Sequence, residues 1–464
     1  MAFSIKRHLA SLEAFIIQRS VSTGVILVLV LEVLSLLSYF FPSTLLPILV
    51  LFGLLMGVVS YVAPTVALSL FVVELSYGAF GRMIAWRSVS LRMVLFGGFL
   101  LGYGARVIRG YEKIPKLTIF DYVFLVVCSV GVLVGLYYGN NISAIVADSN
   151  AYLFIPFFWV IRGYLLKHSA HFFSLLTTAS LLFALKLLLV FIYFTGGTPI
   201  TQNVVYEYLR DTRVFEITAI TDSVSRVFSS AVFIIAVPYL FLVSHKLTRV
   251  RGILLGLCCA AMLIGFSRSL LIGLLVAVLY LSLIDYKVLL RVIVGSVIGF
   301  LVVFCCMAFG GYQGDYTALW RSRTLGAPSE VATVSRFEQL PVLWKAIIAR
   351  PLLGSGFGAA LSMNTAQSRN DGVVMKTSFE WGYLDSFVKL GVGSLFLIYS
   401  LFRLSHGGQT KTARAITLTV LITHIFTPLL YHPVGMWMLV VASLLDLKTV
   451  HEIESTDKIF SLNF

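Results

Sequence analysis

Apolar stretches of bilayer length recur along nearly the whole chain, and they decide what it can fold into. A hydrocarbon core needs ~20 consecutive apolar residues in a helix, because no water is present there to bond a free amide. Runs of that kind lie near 22–41, 43–62, 64–81, 88–106, 118–138, 147–166, 172–195, 226–244, 252–267, 269–285 and 292–309, then near 380–402, 415–430 and 434–448. Two are short enough to be re-entrant or merged with a neighbour, which sets the expected number of spans at about 12–14. Charged residues make up 12% of the 464, against roughly 25% in a soluble protein. The expectation is an all-α polytopic integral membrane protein, a single membrane domain over 1–464 with one large polar loop at 310–379. All five cysteines lie in apolar runs, so neither a disulfide nor a metal framework is expected. Residues 1–20 are basic and amphipathic without a small-residue cleavage site, and are not read as a cleavable signal.

Lysine and arginine in the short connections orient the chain. Lys6, Arg7 and Arg19, then Arg106, Arg109, Lys113 and Lys116, Lys167, Lys246, Arg249 and Arg251, Lys287 and Arg291, Arg403, Lys411 and Arg414, and Lys448 all fall on one side of the alternating spans. That side is expected to be cytoplasmic, with both termini on it and the 310–379 loop outside. The net charge of +14 then reads as cytoplasmic loops and contacts with anionic lipid or phosphate, not nucleic acid. The opposite face is also cationic, but through arginine: Arg82, Arg87, Arg210, Arg213, Arg226, Arg268, Arg321, Arg323, Arg336, Arg350 and Arg369, with few lysines. Arginine offers phosphate oxygens a planar, permanently charged fork. Arg226 is expected to begin a span, and Arg268 to sit in a tight turn, Phe266–Ser267–Arg268–Ser269, between two spans. Single arginines could snorkel to headgroups or pair with Asp211, Glu216 and Asp222. As a set they favour an anionic ligand at the outer leaflet.

Within the long loop, Ser335–Arg336–Phe337–Glu338 has the form of a capping box. Leu340, Leu343, Trp344, Ile347 and Ile348 follow at helical spacing, with Pro341 expected in an early, tolerated position and Pro351 at the end. This predicts a short amphipathic helix lying on the membrane. Gly354, Gly356 and Gly358 then form a turn that lets backbone approach a ligand or another helix. Glu380 stands at the mouth of the next span, where Asp385 and Lys389 can pair on one helix face. Lys186 and Glu74, embedded in apolar runs, could pair with each other or with another group, and His424 and His432 are read as structural.

Three stretches carry a family resemblance. They are Ser267–Arg268–Ser269–Leu270–Leu271 ahead of an apolar span, Arg336 through Pro351–Leu352–Leu353–Gly354–Ser355–Gly356–Phe357–Gly358, and Glu380–Trp381–Gly382–Tyr383–Leu384 leading to Gly391. In order and placement they resemble the O-antigen polymerase and ligase superfamily, the Wzy and WaaL proteins, whose fold belongs to the C-type glycosyltransferase class. The resemblance implies a membrane glycosyltransferase at the periplasmic face of the bacterial inner membrane. Its donor would be a glycan on undecaprenyl pyrophosphate, its acceptor a lipid-linked repeat unit, and its further partners membrane lipids and a chain-length regulator. No cofactor and no metal are expected. Arg226, Arg268 and Arg336 are expected to bind the pyrophosphate, with Arg210 and Arg213 as second choices, and Glu380 to act as general base. The family's usual histidine falls here on Glu380 and its asparagine on Trp381. Ligases rely on that histidine, so the departure favours a polysaccharide polymerase. A ligase that delivers the glycan to a lipid A core or a protein remains an alternative. So does a flippase, which should show related halves and mid-membrane charges along its path.

Overall fold

Inside hydrocarbon a backbone amide can bond only to its own helix, and the apolar runs fold accordingly. The computed structural model describes residues 13–78, 83–86, 89–114, 116–152, 154–195, 203–212, 214–221, 224–265, 267–312, 331–366, 372–405 and 410–445. Through the first half run helices α1 (Ser20–Phe40), α2 (Leu45–Val62), α3 (Pro64–Tyr77), α4 (Leu91–Ile108), α5 (Ile119–Tyr137), α6 (Ile142–Tyr152), α7 (Phe154–Lys167), α8 (Ser169–Tyr193) and the short α9 (Val204–Asp211). The second half contains α10 (Val232–Ser244), α11 (Arg249–Gly265), α12 (Arg268–Ile284), α13 (Lys287–Phe309), α14 (Val331–Ala349), α15 (Gly382–Leu390), α16 (Gly393–Ser405), α17 (Lys411–Phe426) and α18 (Pro433–Leu444). Among the described residues the only sheets are two-stranded antiparallel ribbons: β1 (Ala85–Trp86) with β2 (Val89–Ser90), β3 (Glu216–Thr221) with β4 (Val224–Phe228), and β5 (Leu361–Met363) with β6 (Val374–Lys376). Among these residues six helices are long and apolar enough to cross a membrane, and five shorter apolar helices accompany them. The fold is an all-α polytopic membrane protein.

Two expected spans are each divided. The run at 147–166 is α6 followed by α7, and the run at 380–402 is α15 followed by α16. Between α15 and α16, Gly391 takes φ +53°, a conformation that a side chain disfavours, and the helix is interrupted there. Arg226 does not begin a helix. It lies in β4, opposite Thr218 of β3, and α10 starts only at Val232.

Small residues hold the helices together, since apolar contact alone gains little between helices already in lipid. Where α2 crosses α4, a Cβ on Gly98 would stand 2.6 Å from the Gly53 carbonyl oxygen, so only glycine fits. Buried polar bridges add direction. His171 of α8 bonds Ser20 of α1 at 2.6 Å and Ser69 of α3 at 2.9 Å. Lys186 pairs with Glu32 of α1, to which the Tyr77 hydroxyl also donates, and not with Glu74. The choice depends on α1 packing against α8, which hydropathy along the chain does not encode. Apart from the main core, Leu343, Ala359, Met363, Phe379 and Val388 form a small second core that seats α14 over α15.

Candidate active site

The site forms where four chain segments converge. Helix α11 ends at Gly265, Ser267 is extended, and Arg268 opens α12. A cation in a helix's first turn opposes the macrodipole by about 0.3–1 kcal/mol, so helix stability does not account for Arg268. The same turn is the positive end of the helix, a setting suited to an anion. Ser269 locks the turn in place: its hydroxyl lies 2.8 Å from that of Thr427, and its carbonyl accepts from Thr423 Oγ1 at 3.3 Å.

From this turn the contacts run directly to the glutamate. Arg268 Nη1 donates to Thr333 Oγ1 at 3.3 Å, on the first turn of α14. One turn further on, Arg336 forms an ion pair with Glu380, just ahead of α15. The side chains of Arg336 and Glu380 remain 34% and 30% exposed, so the pair is open to a ligand. The backbone around it is held firmly. Trp381 Nε1 donates to the Arg336 carbonyl at 2.8 Å, and the Glu380 amide donates to Gln339 Oε1 at 3.3 Å. The Trp381 ring packs between Phe337 and Phe426, with ring centroids 6.1 and 5.8 Å away. Arg226 reaches the same place from β4, its Nε donating to the Gly265 carbonyl at 3.3 Å while its guanidinium lies 4.8 Å from the Phe228 ring centroid.

Arg226, Arg268, Arg336 and Glu380 are thus tied to adjoining segments, while Arg210 is not joined to them. Arg210 is exposed on α9, paired with Asp211 at 2.9 Å, and α9 is anchored elsewhere through Tyr208 to Ser35 of α1 at 2.8 Å. Arg213 lies outside the described residues. His424 is fully buried and not interfacial, and its Nδ1 accepts from the Leu430 amide at 3.1 Å. Among the described residues no three His, Cys, Asp or Glu side chains gather as a metal-binding group.

Helix α14 differs from its expected form. It begins at Val331, so Ser335 and Glu338 lie inside it and make no capping box. Ser335 is buried, and Glu338 instead accepts from the Ala366 amide at 2.5 Å, outside its own helix. Pro341 sits at the middle, and the helix runs on to Ala349 before Pro351, as expected, keeps it from continuing. Leu343 packs into the second core from this helix. On the other side Phe337, Trp344, Ile348 and Leu352 stand exposed in one stripe.

The glycine turn approaches helices and not a ligand. Gly354, Gly356 and Gly358 have φ of +66°, +76° and +74°. The four amides from Ser355 to Gly358 donate to the carbonyls of Val388, Lys389 and Gly131 and to Asp148 Oδ2, at 2.7–2.9 Å. Every donor a phosphate would need is already bonded. Behind the turn, Lys389 pairs with Asp385 at 3.1 Å, as expected, and also with Asp148 of α6 at 2.9 Å. Asp148 was missed, although a lone carboxylate in an apolar run was a signal that could have found it.

Residues 253–399 match the family described as O-Antigen ligase. That segment contains Arg268, Arg336, Glu380, the glycine turn and the Asp385–Lys389 pair, and leaves out Arg210, Arg213 and Arg226. No curated protein and no solved structure matches the chain.

Proposed function

Through residues 253–399 the chain belongs to the O-antigen polymerase/ligase superfamily, and on that premise we propose that it is a polymerase of lipid-linked glycan repeats. The observation that carries the reading is the accessible Arg336–Glu380 ion pair beside Arg268. The donor is a glycan on undecaprenyl pyrophosphate. Its diphosphate oxygens take the guanidinium groups of Arg268 and Arg336, with Arg226 adding charge. Drawing Arg336 onto phosphate releases the Glu380 carboxylate. That carboxylate then accepts the proton of the acceptor hydroxyl as its oxygen attacks the anomeric carbon. The carbon–oxygen bond to phosphate breaks, and undecaprenyl pyrophosphate leaves with charge that the fixed arginines stabilise. Arg210, held apart on α9, has no part in this step, and no metal is needed to neutralise the leaving group.

Glutamate in place of the ligases' histidine supports polymerase over ligase, which would use the same donor and differ in the acceptor. The concentration of arginines near one site speaks against a flippase, and among the described residues the in-helix charges Glu32 and Lys186 pair with each other.

Arg268→Lys and Arg336→Lys should each lose most activity at normal protein level, because a two-pronged contact becomes a point charge. Lys345→Ala, on the exposed side of α14, should change little. Normal polymer from both arginine variants would remove the pyrophosphate assignment.

The orientation belongs to the same proposal: the site faces the periplasm, the termini the cytoplasm, and the apolar stripe of α14 rests on the outer leaflet. In a background with the native cysteines replaced, Ala360→Cys should react with an impermeant thiol reagent added outside intact inner membranes. Tyr286→Cys, exposed between α12 and α13, should react only after permeabilisation. The reverse pattern would place the site on the cytoplasmic side and exclude this function.

A further inference from the structure

A cavity of about 1000 Å³ lies among the N-terminal helices, outside the 253–399 segment. Its walls are the end of α1, the β1–β2 ribbon with the start of α4, one face of α6 and the end of α9. Its polar lining includes Ser38, Tyr39, Arg92, Ser143, Asn150 and Asp211. The α6 face is regular: Ser143, Val146, Ala147 and Asn150 recur at helical spacing and all line it.

We propose that this cavity holds the oligosaccharide portion of a lipid-linked substrate, several sugars long. The proposal rests on the glycosyltransferase reading above, but not on whether the acceptor is a repeat unit or a lipid core. The volume stands at the top of the ~300–1,000 Å³ range of small-molecule sites, too large for a single sugar. The lining mixes donors and acceptors with apolar side chains such as Leu45, Met83, Met93, Ile142 and Val146 and with Tyr39, which suits rings that are hydroxylated at the rim and apolar on the face. Among the described residues its lining holds one guanidinium, Arg92, and one carboxylate, Asp211, where the other site gathers the three guanidinium groups of Arg226, Arg268 and Arg336. A hydrocarbon tail would desolvate Arg92, Asn150 and Asp211 without bonding them, a cost of kilocalories per group.

The cavity is also mechanically joined to the proposed active site. Its wall helix α6 carries Asp148, which bonds Lys389 of α15 and the Gly358 amide. Glu380 lies two residues before α15. Sugars bound against α6 therefore rest on the same framework as the segment that carries the glutamate.

The test uses the full-length protein in detergent and, as probe, oligosaccharides of one to three repeats released by mild acid from the lipid-linked repeats of the producing cells. Calorimetry should show saturable binding to the wild type. Ser143→Trp, which projects an indole into the cavity from α6, should weaken it severely, and Asn150→Ala, which cannot fail by overpacking, should weaken it about tenfold, one hydrogen-bonded contact's worth. Glu380→Gln should bind as the wild type does. In turnover, Asn150→Ala should raise KM and spare kcat. Equal binding by wild type, Ser143→Trp and Asn150→Ala, or no binding by any, overturns the proposal. So does competition by undecaprenyl phosphate without sugar, which would assign the cavity to the lipid. Because binding is read without turnover, a failure here leaves the catalytic reading untouched, and an active Glu380→Gln leaves this one untouched.

Discussion

Glu380→Gln should lower polymer formation about 10²–10⁴-fold, the usual cost of removing a general base. The amide keeps the size and hydrogen bonding of the side chain but cannot take the acceptor's proton. Glu380→Asp keeps the chemistry at a poorer distance and should fall between the two. The ion pair with Arg336 gives the glutamate a second conceivable role, holding α14 against α15. The two roles separate in one experiment. Exposed to this degree, the pair is worth little to stability, about 0–1 kcal/mol, so unfolding temperature and donor-lipid binding should both survive the change. The assay is polymerisation of purified lipid-linked repeats, normalised to folded protein. Near-normal turnover by Glu380→Gln would take Glu380 out of the chemistry and leave it as a strut.

Lys389→Met should destabilise the protein by about 3–5 kcal/mol, the cost of stripping the partner from a buried charge. Lys389 is 5% exposed and stands between Asp385, itself 2% exposed, and Asp148. Without the ammonium, two carboxylates face each other in a low-dielectric interior, and α6, α15 and the glycine turn lose their common tie. The triple variant Asp148→Asn, Asp385→Asn, Lys389→Met removes all the charge together and should recover much of the loss. Thermal unfolding in detergent measures both. Turnover per folded molecule should stay near normal, because none of the three residues reaches the Arg336–Glu380 pair in the contacts seen. A single variant within about 0.5 kcal/mol of wild type would mean that water already reaches the triad.

What could be read from the chain divides along a physical line. A bilayer imposes a length and a hydropathy on each helix, and both are properties of consecutive residues. The all-α membrane class and the end of α14 ahead of Pro351 were therefore legible. So were the Ser267–Arg268 turn and the Asp385–Lys389 pair, since adjacent helices and four-residue spacing need no knowledge of the fold. The start of α14 was not. A capping box at Ser335 is a local preference worth about a kilocalorie, and in the fold Ser335 is buried inside the helix while Glu338 bonds the Ala366 amide.

Everything that joins distant segments was decided by the tertiary structure. Glu32 rather than Glu74 meets Lys186 because α1, and not α3's Glu74, presents a carboxylate to that point of α8. Asp148 reaches Lys389 across 241 positions of chain. The glycines at 354, 356 and 358 were legible as a turn of close approach, but only the packing of α5, α6 and α15 against it showed that its amides are already bonded. Of the arginines weighed in the sequence, the three first choices, Arg226, Arg268 and Arg336, are joined by contacts to the segments around Glu380; of the second choices, Arg210 stands on a separate helix and Arg213 lies outside the described residues. The sequence determined which residues had the chemistry and which stretches would enter the membrane. Which of them meet depends on how helices pack, through small-residue contacts and buried bonds that no one-dimensional pattern records.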